Sequence, residues 1–161
     1  MPITYLALGS NIGDRRDNLR RALTGLAPEV QVMGRSPVYE TPAWGYEDQP
    51  PFLNMALEAE TSLLPEALLT HVKRLETELG RTPSFHWGPR LIDIDILFYG
   101  DLVLATPALT IPHPRLHERA FVLVPLNNLA PSLVHPVLGK TIAELLASLD
   151  TSGITRWADE L

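Results

Sequence analysis

Two aspartates, Asp93 and Asp95, stand two residues apart in the stretch "WGPRLIDIDILFYG", residues 87–100. The apolar residues around them predict a buried strand over 91–99, in which successive side chains point to opposite faces. One face is expected to be wholly apolar, formed by Ile92, Ile94, Ile96 and Phe98. The other face carries both carboxylates, and the simplest interpretation is that this face meets solvent.

Three features favour a ligand site over a solvent-exposed face. The same-face neighbours are apolar (Leu91 and Leu97), and the strand contains no basic residue to neutralise the pair. The preceding loop, 81–90, carries Arg81, Trp87 and Arg90, which suit a flat, anionic ligand. Paired carboxylates are ligands for Mg²⁺ that is shared with substrate phosphates. The pattern therefore predicts a magnesium and phosphate site.

A second group of residues is suited to a flat ring. In "TPAWGYEDQPPFLN", residues 41–54, Trp44 and Phe52 could enclose an aromatic ring, and the Asn54 amide could bind its donor and acceptor edge. The alternative is that Phe52 belongs to the core and Asn54 is an exposed strand residue.

The histidines allow two interpretations. His113 and His117 lie four apart, as zinc ligands on a helix can, but the chain has no cysteine and no HExxH motif. A phosphate contact by His113 and Arg119 is favoured. His71 is expected at the surface, and Gly9-Ser10-Asn11 lacks the GK[ST] ending of a Walker loop.

Composition excludes several classes of protein. The net charge of −6 argues against nucleic-acid binding, and no apolar run is long enough to cross a bilayer. The absence of cysteine and of an amino-terminal signal pattern favours a cytoplasmic protein. We expect a single domain over residues 1–161, without nucleic-acid or membrane partners, and favour a monomer.

Hydrophobic periodicity predicts the order β-α-β-β-α-β. Strands are expected at 3–8, 52–61 and 91–99, and an extended segment at 30–39 is expected to be interrupted by Gly34 and Pro37. Helices are expected to begin after Asp14 and at Pro65, followed by a short strand at 102–104 and short helices at 121–128 and 142–149. This order is typical of an α+β, ferredoxin-like sandwich with helices on one face of an antiparallel sheet.

Four blocks of the sequence resemble one enzyme family. "ALGSNIGD", "YETPAWG…DQPPFLN", "HWGPRLIDIDILFYG" and "IPHPRLHERAFVLVPL" occur in the order found in 6-hydroxymethyl-7,8-dihydropterin pyrophosphokinases, over about residues 5–126. The resemblance implies a ferredoxin-like fold and a step of folate biosynthesis. In that step diphosphate passes from ATP to the pterin's hydroxymethyl group, and AMP is released.

The resemblance also implies roles for individual residues. Asp93 and Asp95 would bind two Mg²⁺ ions that bridge the ATP phosphates, and would act in catalysis together with Arg81 and Arg90. The implied pterin-binding positions are Thr41, Pro42, Trp44, Phe52, Asn54 and Phe121. The implied nucleotide-binding positions are Glu76, Arg81, Trp87, Arg90, Ile96, His113 and Arg119. Two departures from the family are a loop 81–90 that is one residue shorter and Pro114 after His113.

Two other functions fit parts of the same pattern. One is a DxD glycosyltransferase that uses a metal and a nucleotide-sugar, although such domains are longer. The other is a regulatory ferredoxin-like domain that binds a small ligand without reaction. That second function leaves Asp93, Asp95, Arg90 and Arg119 without a joint purpose.

Overall fold

A central antiparallel sheet organises the computed structural model, which describes residues 1–42, 49–80 and 91–161. The strands are β1 (Ile3–Ser10), β2 (Val30–Arg35), β3 (Val38–Thr41), β4 (Phe52–Thr61), β5 (Asp93–Tyr99), β6 (Leu104–Ala105), β7 (Thr110–Ile111) and β8 (Thr155–Ala158). The helices are α1 (Arg15–Leu26), α2 (Pro65–Glu78), α3 (Ala120–Leu129) and α4 (Ile142–Ala147), with a 3₁₀ turn at Leu116–Glu118.

The main sheet runs in the order β5-β1-β4-β3-β8, and β6 and β7 form a separate ladder. β2 and β3 lie on the same side of β4, where β2 pairs with its second half and β3 with its first. Between them, Ser36 bonds to the backbone of Ala56 and Pro37 has no N–H to continue the ladder. The predicted interruption of the segment 30–39 is therefore confirmed.

The first face of the sheet packs against α1 and α2. Alternate residues of β1 and β4, such as Leu6, Leu8, Leu53 and Met55, are buried there with the apolar stripes of both helices. α1 begins as predicted, because the Asp14 side chain accepts a hydrogen bond from the backbone N–H of Asp17 at 3.0 Å. These contacts confirm an α+β fold with an antiparallel sheet and helices packed on it.

The second face is also covered, contrary to the expectation of helices on one face only. α3 and α4 bury Leu123, Leu126 and Ile142 against Tyr5 and Phe98 of the sheet. The second layer forms because β1 and β5 each present large apolar side chains on that face as well. Among the residues described, none of the helices has the length and apolar character needed to cross a membrane.

A bulge at Leu97 changes the faces of β5. Tyr5 pairs with Phe98 while Leu6 pairs with Ile96, so Leu97 is the extra residue. The prediction that Phe98 shares a face with Ile92, Ile94 and Ile96 is therefore wrong, since Phe98 lies in the second core. The bulge leaves Asp93 and Asp95 at one end of a face whose other end is apolar.

His71 is buried, not at the surface as the sequence indicated. Its Nε2 lies 3.2 Å from the Leu26 carbonyl oxygen, and its Nδ1 accepts a hydrogen bond from Arg74. The ring thereby joins α2 to the end of α1.

Stability near neutral pH is expected to depend on His135. Its Nδ1 accepts hydrogen bonds from the backbone N–H groups of Val137 and Leu138, and its ring packs on Phe98. Burial, reinforced by His117, lowers the pKa of His135 below its ordinary value. The unfolded chain therefore binds this proton more readily, so the stabilisation is fully present above about pH 6.5 and decreases as the pH falls below it.

Denaturant unfolding between pH 5 and 8 checks this expectation against His135→Asn. Asparagine keeps a side-chain acceptor near the same position but does not titrate. The wild type should lose more free energy of unfolding on acidification than the variant. Parallel pH profiles of the two proteins would show that His135 does not contribute.

Candidate active site

The strand register places an acidic residue, a glycine and an amide in one row across the sheet. Asp93 pairs with Gly9, and Gly9 pairs with Asn54 on its other side. Directly paired residues of antiparallel strands share a face. Asp93, Asp95 and Asn54 therefore lie on one face, with only Gly9 and Ala7 between the two groups in β1.

Gly9 leaves the space between those groups open. A Cβ built at residue 9 would lie 3.0 Å from the Asn54 Nδ2 and 3.5 Å from the Phe52 ring. Any larger residue at this position would displace the side chains on which ring binding is predicted to depend. The glycine is thus required by a close approach and not by backbone conformation.

Thr41, Phe52 and Asn54 are brought together on this face. The Thr41 hydroxyl donates to Asn54 Oδ1 at 2.7 Å, and both side chains are buried. Phe52 pairs with Thr41, is partly buried and belongs to neither core. Asn54 is therefore not an exposed strand residue, and Phe52 is not a core residue. Pro42 follows Thr41 and is exposed.

His113 and Arg119 lie in the electrostatic field of the aspartates. Burial lowers the pKa of His113, an effect that Asp95 opposes and that Arg119 reinforces. Burial likewise lowers the pKa of Arg119, while Asp95 again acts in the opposite direction. These groups therefore lie near one another beside the first half of β5.

Local contacts orient His113 and Arg119. The backbone N–H of His113 donates to the carbonyl oxygen of the bulge residue Leu97, and the ring Nδ1 accepts from the Arg115 N–H. The neutral ring consequently carries its proton on Nε2. The Arg119 guanidinium lies 5.7 Å from the centre of the Phe121 ring. Its buried Nε has no hydrogen-bond partner within the described ranges 1–42, 49–80 and 91–161.

Glu76 contacts the strand backbone between the two aspartates. The side chain is almost fully buried, and its Oε2 accepts a hydrogen bond from the Ile94 N–H at 2.8 Å. Lys73 lies 3.3 Å from the other carboxylate oxygen. Since β5 is at the edge of the sheet formed by the described strands, Glu76 satisfies a backbone donor that none of those strands covers. In this position the carboxylate orients the segment that carries Asp93 and Asp95.

Ile96 is not brought together with the aspartates. Its side chain lies on the opposite face of β5, in the core formed with α1 and α2. Trp44, Arg81, Trp87 and Arg90 fall outside the described residues. Phe121 lies at the start of α3, partly buried beside the second core.

A buried polar network at the end of β1 was not predicted as part of the site. Asn11 Nδ2 donates to the side-chain oxygen of Gln49 at 2.7 Å and to the Pro50 carbonyl, and Asn18 donates to the Ser10 hydroxyl. One signal was available in the sequence, because Asn18 occupies the apolar stripe of α1 four residues before Ala22. The network connects β1 to the segment that precedes Phe52.

The carboxylates of Asp93 and Asp95 fit an ion such as Mg²⁺, which also binds water and phosphate, better than a metal ion that is held by protein side chains alone. Within the ranges 1–42, 49–80 and 91–161, no group of three or more His, Cys, Asp or Glu side chains is placed to hold a metal. Asp93 and Asp95 present carboxylate oxygens, which are hard donors, on a partly exposed face. Mg²⁺ commonly binds to one or two carboxylates and completes its coordination with water and phosphate oxygens.

Comparison with known proteins assigns the family. Residues 5–131 match the model of the 7,8-dihydro-6-hydroxymethylpterin-pyrophosphokinase (HPPK) family. The chain belongs to this family. The match contains every described residue on which the site has been built.

Two curated pyrophosphokinases align with this chain over nearly their whole length. The chain is 46% identical over 144 residues to the 2-amino-4-hydroxy-6-hydroxymethyldihydropteridine pyrophosphokinase of Aquifex aeolicus, with 89% of this chain and 90% of the relative covered. The enzyme of the same name from Methylorubrum extorquens is 48% identical over 158 residues, with 97% and 99% covered.

Solved structures of HPPK-containing proteins share the fold. A crystal structure of Plasmodium falciparum HPPK-DHPS superposes with a TM-score of 0.70 at 21% identity, covering 91% of this chain. An HPPK-DHPS in complex with substrates gives a TM-score of 0.76 at 16% identity and 99% coverage. The chain spans 43% and 48% of those two bifunctional chains, respectively.

The hydrogen bond from Ile94 to Glu76 is expected to contribute measurably to stability. Glu76→Ala removes the acceptor and should lower the free energy of unfolding by about 2 kcal/mol. Glu76→Gln keeps an oxygen acceptor and should cost about 1 kcal/mol or less. Urea unfolding of both variants measures the difference, and equal losses would contradict the proposed role of the hydrogen bond.

Proposed function

We propose that the protein transfers diphosphate from ATP to the hydroxymethyl group of 6-hydroxymethyl-7,8-dihydropterin. The products are AMP and the pterin diphosphate, in a step of tetrahydrofolate synthesis. The observation that carries the proposal is the row Asp93–Gly9–Asn54, in which a carboxylate suited to metal binding and an amide suited to a ring edge lie on either side of one strand. Membership of the HPPK family and the names of its curated relatives support it.

The pterin half of the site is formed by β3, β4 and the start of α3. Because Thr41 donates to Asn54 Oδ1, the amide Nδ2 remains directed toward Gly9, where it can donate to a heteroatom of the ring. We assign Phe52 and Phe121 to opposite faces of the pterin, with Thr41, Pro42 and Trp44 completing the pocket. A flat heterocycle suits two aromatic faces and one amide edge.

The phosphate half is formed by β5 and the segment before α3. We assign Asp93 and Asp95 as ligands of two Mg²⁺ ions, and His113 and Arg119 as contacts to the ATP phosphates. The buried Nε of Arg119 has no hydrogen-bond partner among the described residues, which supports a role in binding an anion. Arg81 and Arg90 are assigned to catalysis, and Glu76, Trp87 and Arg90 to the nucleotide site; Ile96, whose side chain lies in the core, is not assigned to it.

The chemistry requires positioning and charge stabilisation. The hydroxymethyl oxygen bonds to the β-phosphorus of ATP, the bond from that phosphorus to the oxygen bridging to the α-phosphate breaks, and the hydroxyl proton is lost. Bound Mg²⁺ would neutralise charge that develops on the phosphate oxygens. The aspartates, Arg119 and the ring-binding residues hold the two substrates in line, which is the main catalytic contribution in phosphoryl transfer.

The two competing functions lack support. A glycosyltransferase and a non-catalytic ligand-binding domain each account for part of the site, but the family and its named relatives are pyrophosphokinases. We further propose a cytoplasmic location, in keeping with a chain that has no cysteine, and a monomeric state.

Product analysis tests the proposed reaction directly. The protein is incubated with ATP, Mg²⁺ and 6-hydroxymethyl-7,8-dihydropterin, and the products are identified by mass spectrometry. We expect AMP and pterin diphosphate in equal amounts. Formation of ADP, or no reaction with a folded protein, would contradict the proposal.

Asp95→Asn separates a catalytic from a structural role. The variant keeps the shape of the side chain but removes a negative ligand, so turnover should fall on the order of a thousandfold. The melting temperature without ligand should stay close to that of the wild type, because the lost attraction between Asp95 and Arg119 is offset by the lost repulsion between Asp95 and Asp93, and the Ile94 core is unchanged. The matched control is Asp101→Asn, at an exposed carboxylate in the turn after β5. A lower melting temperature with retained activity would assign the aspartate to the fold.

A further inference from the structure

We propose that Arg15, in the first turn of α1, is a positioning residue for the pterin half of the site. It links the chain segment that enters the pocket at Thr41 to the segment that leaves it at Phe52. The inference rests on the proposed function, since it concerns how well that pocket holds its ligand. Neither the family match nor the names of the relatives assign a role to this residue.

The contacts of Arg15 join the two segments through one nitrogen. Its Nη1 donates to Glu40 Oε2 at 2.9 Å and to the Pro51 carbonyl oxygen at 2.9 Å. Glu40 immediately precedes Thr41, and Pro51 immediately precedes Phe52. Thr41 and Phe52 form the last pair of the β3–β4 ladder. Arg15 therefore adds a cross-link where the ladder ends.

Arg15 acts from behind the pocket. Glu40 pairs with Leu53, which lies in the core that α1 covers, whereas Thr41 and Asn54 occupy the other face. A pterin bound at Asn54 would thus be separated from Arg15 by the sheet. Any effect of Arg15 on binding must pass through the position of the backbone, which distinguishes it from a ligand-contacting residue.

Strand β8 supports the arginine. β8 pairs with β3, where Thr155 lies opposite Glu40, and the Trp157 ring centre lies 6.0 Å from the Arg15 guanidinium carbon and 5.7 Å from that of Arg16. The turn before β8 also approaches the pocket, because a Cβ built at Gly153 would lie 3.3 Å from Pro42. The same stretch of chain is thus packed against both Arg15 and residue 42.

The ion pair alone would not justify this role. The side chains of Arg15 and Glu40 are 23% and 33% exposed, and pairs at that exposure contribute little to stability. The second hydrogen bond, to a backbone carbonyl, and the aromatic ring over the guanidinium restrict its orientation. Restricting two segments that each carry a ligand-contacting residue lowers the cost of ordering them on binding.

Calorimetric titration of the whole chain tests the proposal. In the first titration the probe is 6-hydroxymethylpterin, added in the presence of Mg²⁺ and a non-hydrolysable ATP analogue. In the second titration the probe is the ATP analogue itself, added in the presence of Mg²⁺ and without the pterin. Arg15→Ala should raise the Kd for the pterin about tenfold while the Kd for the nucleotide changes less than about twofold. Arg15→Lys, which keeps a cation with N–H donors, should recover part of the pterin affinity.

Arg16→Ala is the matched control. It removes the neighbouring arginine over the same tryptophan, but that arginine has no hydrogen bond to Glu40 or Pro51 in the described chain. Its Kd values should equal those of the wild type. A wild-type affinity for the pterin in Arg15→Ala would overturn the role assigned to Arg15. A loss of affinity that is equal for the pterin and the nucleotide, and equal in Arg15→Ala and Arg16→Ala, would also overturn it.

Two further comparisons keep the outcome decisive. If Arg15→Ala is unfolded at the assay temperature, Glu40→Gln and Arg15→Lys replace it, and unchanged pterin affinity in both overturns the proposal. A wild-type protein that binds no pterin overturns the proposed function and this inference with it. A wild type that binds pterin no better than Arg15→Ala overturns this inference alone.

Discussion

The hydrogen bonds that β1 makes with β5 on one side and β4 on the other determine where the described site residues lie. Through them Asp93, Gly9 and Asn54 occupy one row, and Asp95, Ala7 and Ala56 the next. A shift of one residue in either pairing would move a whole strand's side chains to the opposite face. The carboxylates would then enter the core beside α1 and α2, and the amide would no longer face them. The alternation of large apolar residues in β1 and β4 opposes that shift, because the shift would also move those side chains from the core to the opposite face of the sheet.

The site brings buried polar groups next to the sheet, and three of them have specific partners. Asn54 bonds to Thr41, Asn11 to Gln49 and Glu76 to the backbone of β5. An unpaired polar group at such positions would cost roughly 1–3 kcal/mol, so the partners are necessary for the fold as well as the site. They also fix rotamers, which explains why the amide of Asn54 has one orientation relative to Gly9. Stability and preorganisation thus depend on the same hydrogen bonds.

The features of the fold that were predicted correctly are those determined by the local pattern of apolar and polar residues. The strand over 52–61 has the bounds expected from its alternation, and Phe52 and Asn54 share the face opposite Leu53. The bulge at Leu97 was not predictable, because it arises from pairing with β1 and has no marker in the sequence of β5 itself. The burial of His71 depends on the end of α1, which is distant in sequence.

Strand β8 is short, and its residues Thr155, Arg156 and Trp157 are exposed, so it lacks the alternation that identifies a half-buried strand. The resemblance of four sequence blocks indicated the family and implied a nucleotide contact for Ile96, whereas strand alternation correctly placed the Ile96 side chain on the face opposite the aspartates.

The bulge also explains how one strand serves a core and a site at once. Before Leu97, the second face of β5 carries Asp93 and Asp95, which are partly exposed; after it, Phe98 lies in a core with Leu123 and Leu126 of α3.

The carbonyl oxygen of Leu97 accepts a hydrogen bond from the N–H of His113, so the bulge also positions the segment that leads to Arg119 and α3. Arg119 is the last residue before that helix, and Phe121 lies in its first turn. The helical layer therefore begins beside the carboxylates, where Arg119 supplies a cation just before α3 and Phe121 supplies an aromatic ring from the first turn of α3. A regular strand would continue its alternation past residue 96 and place Phe98 on the other face. The second core would then lose the ring against which Tyr5 and His135 pack.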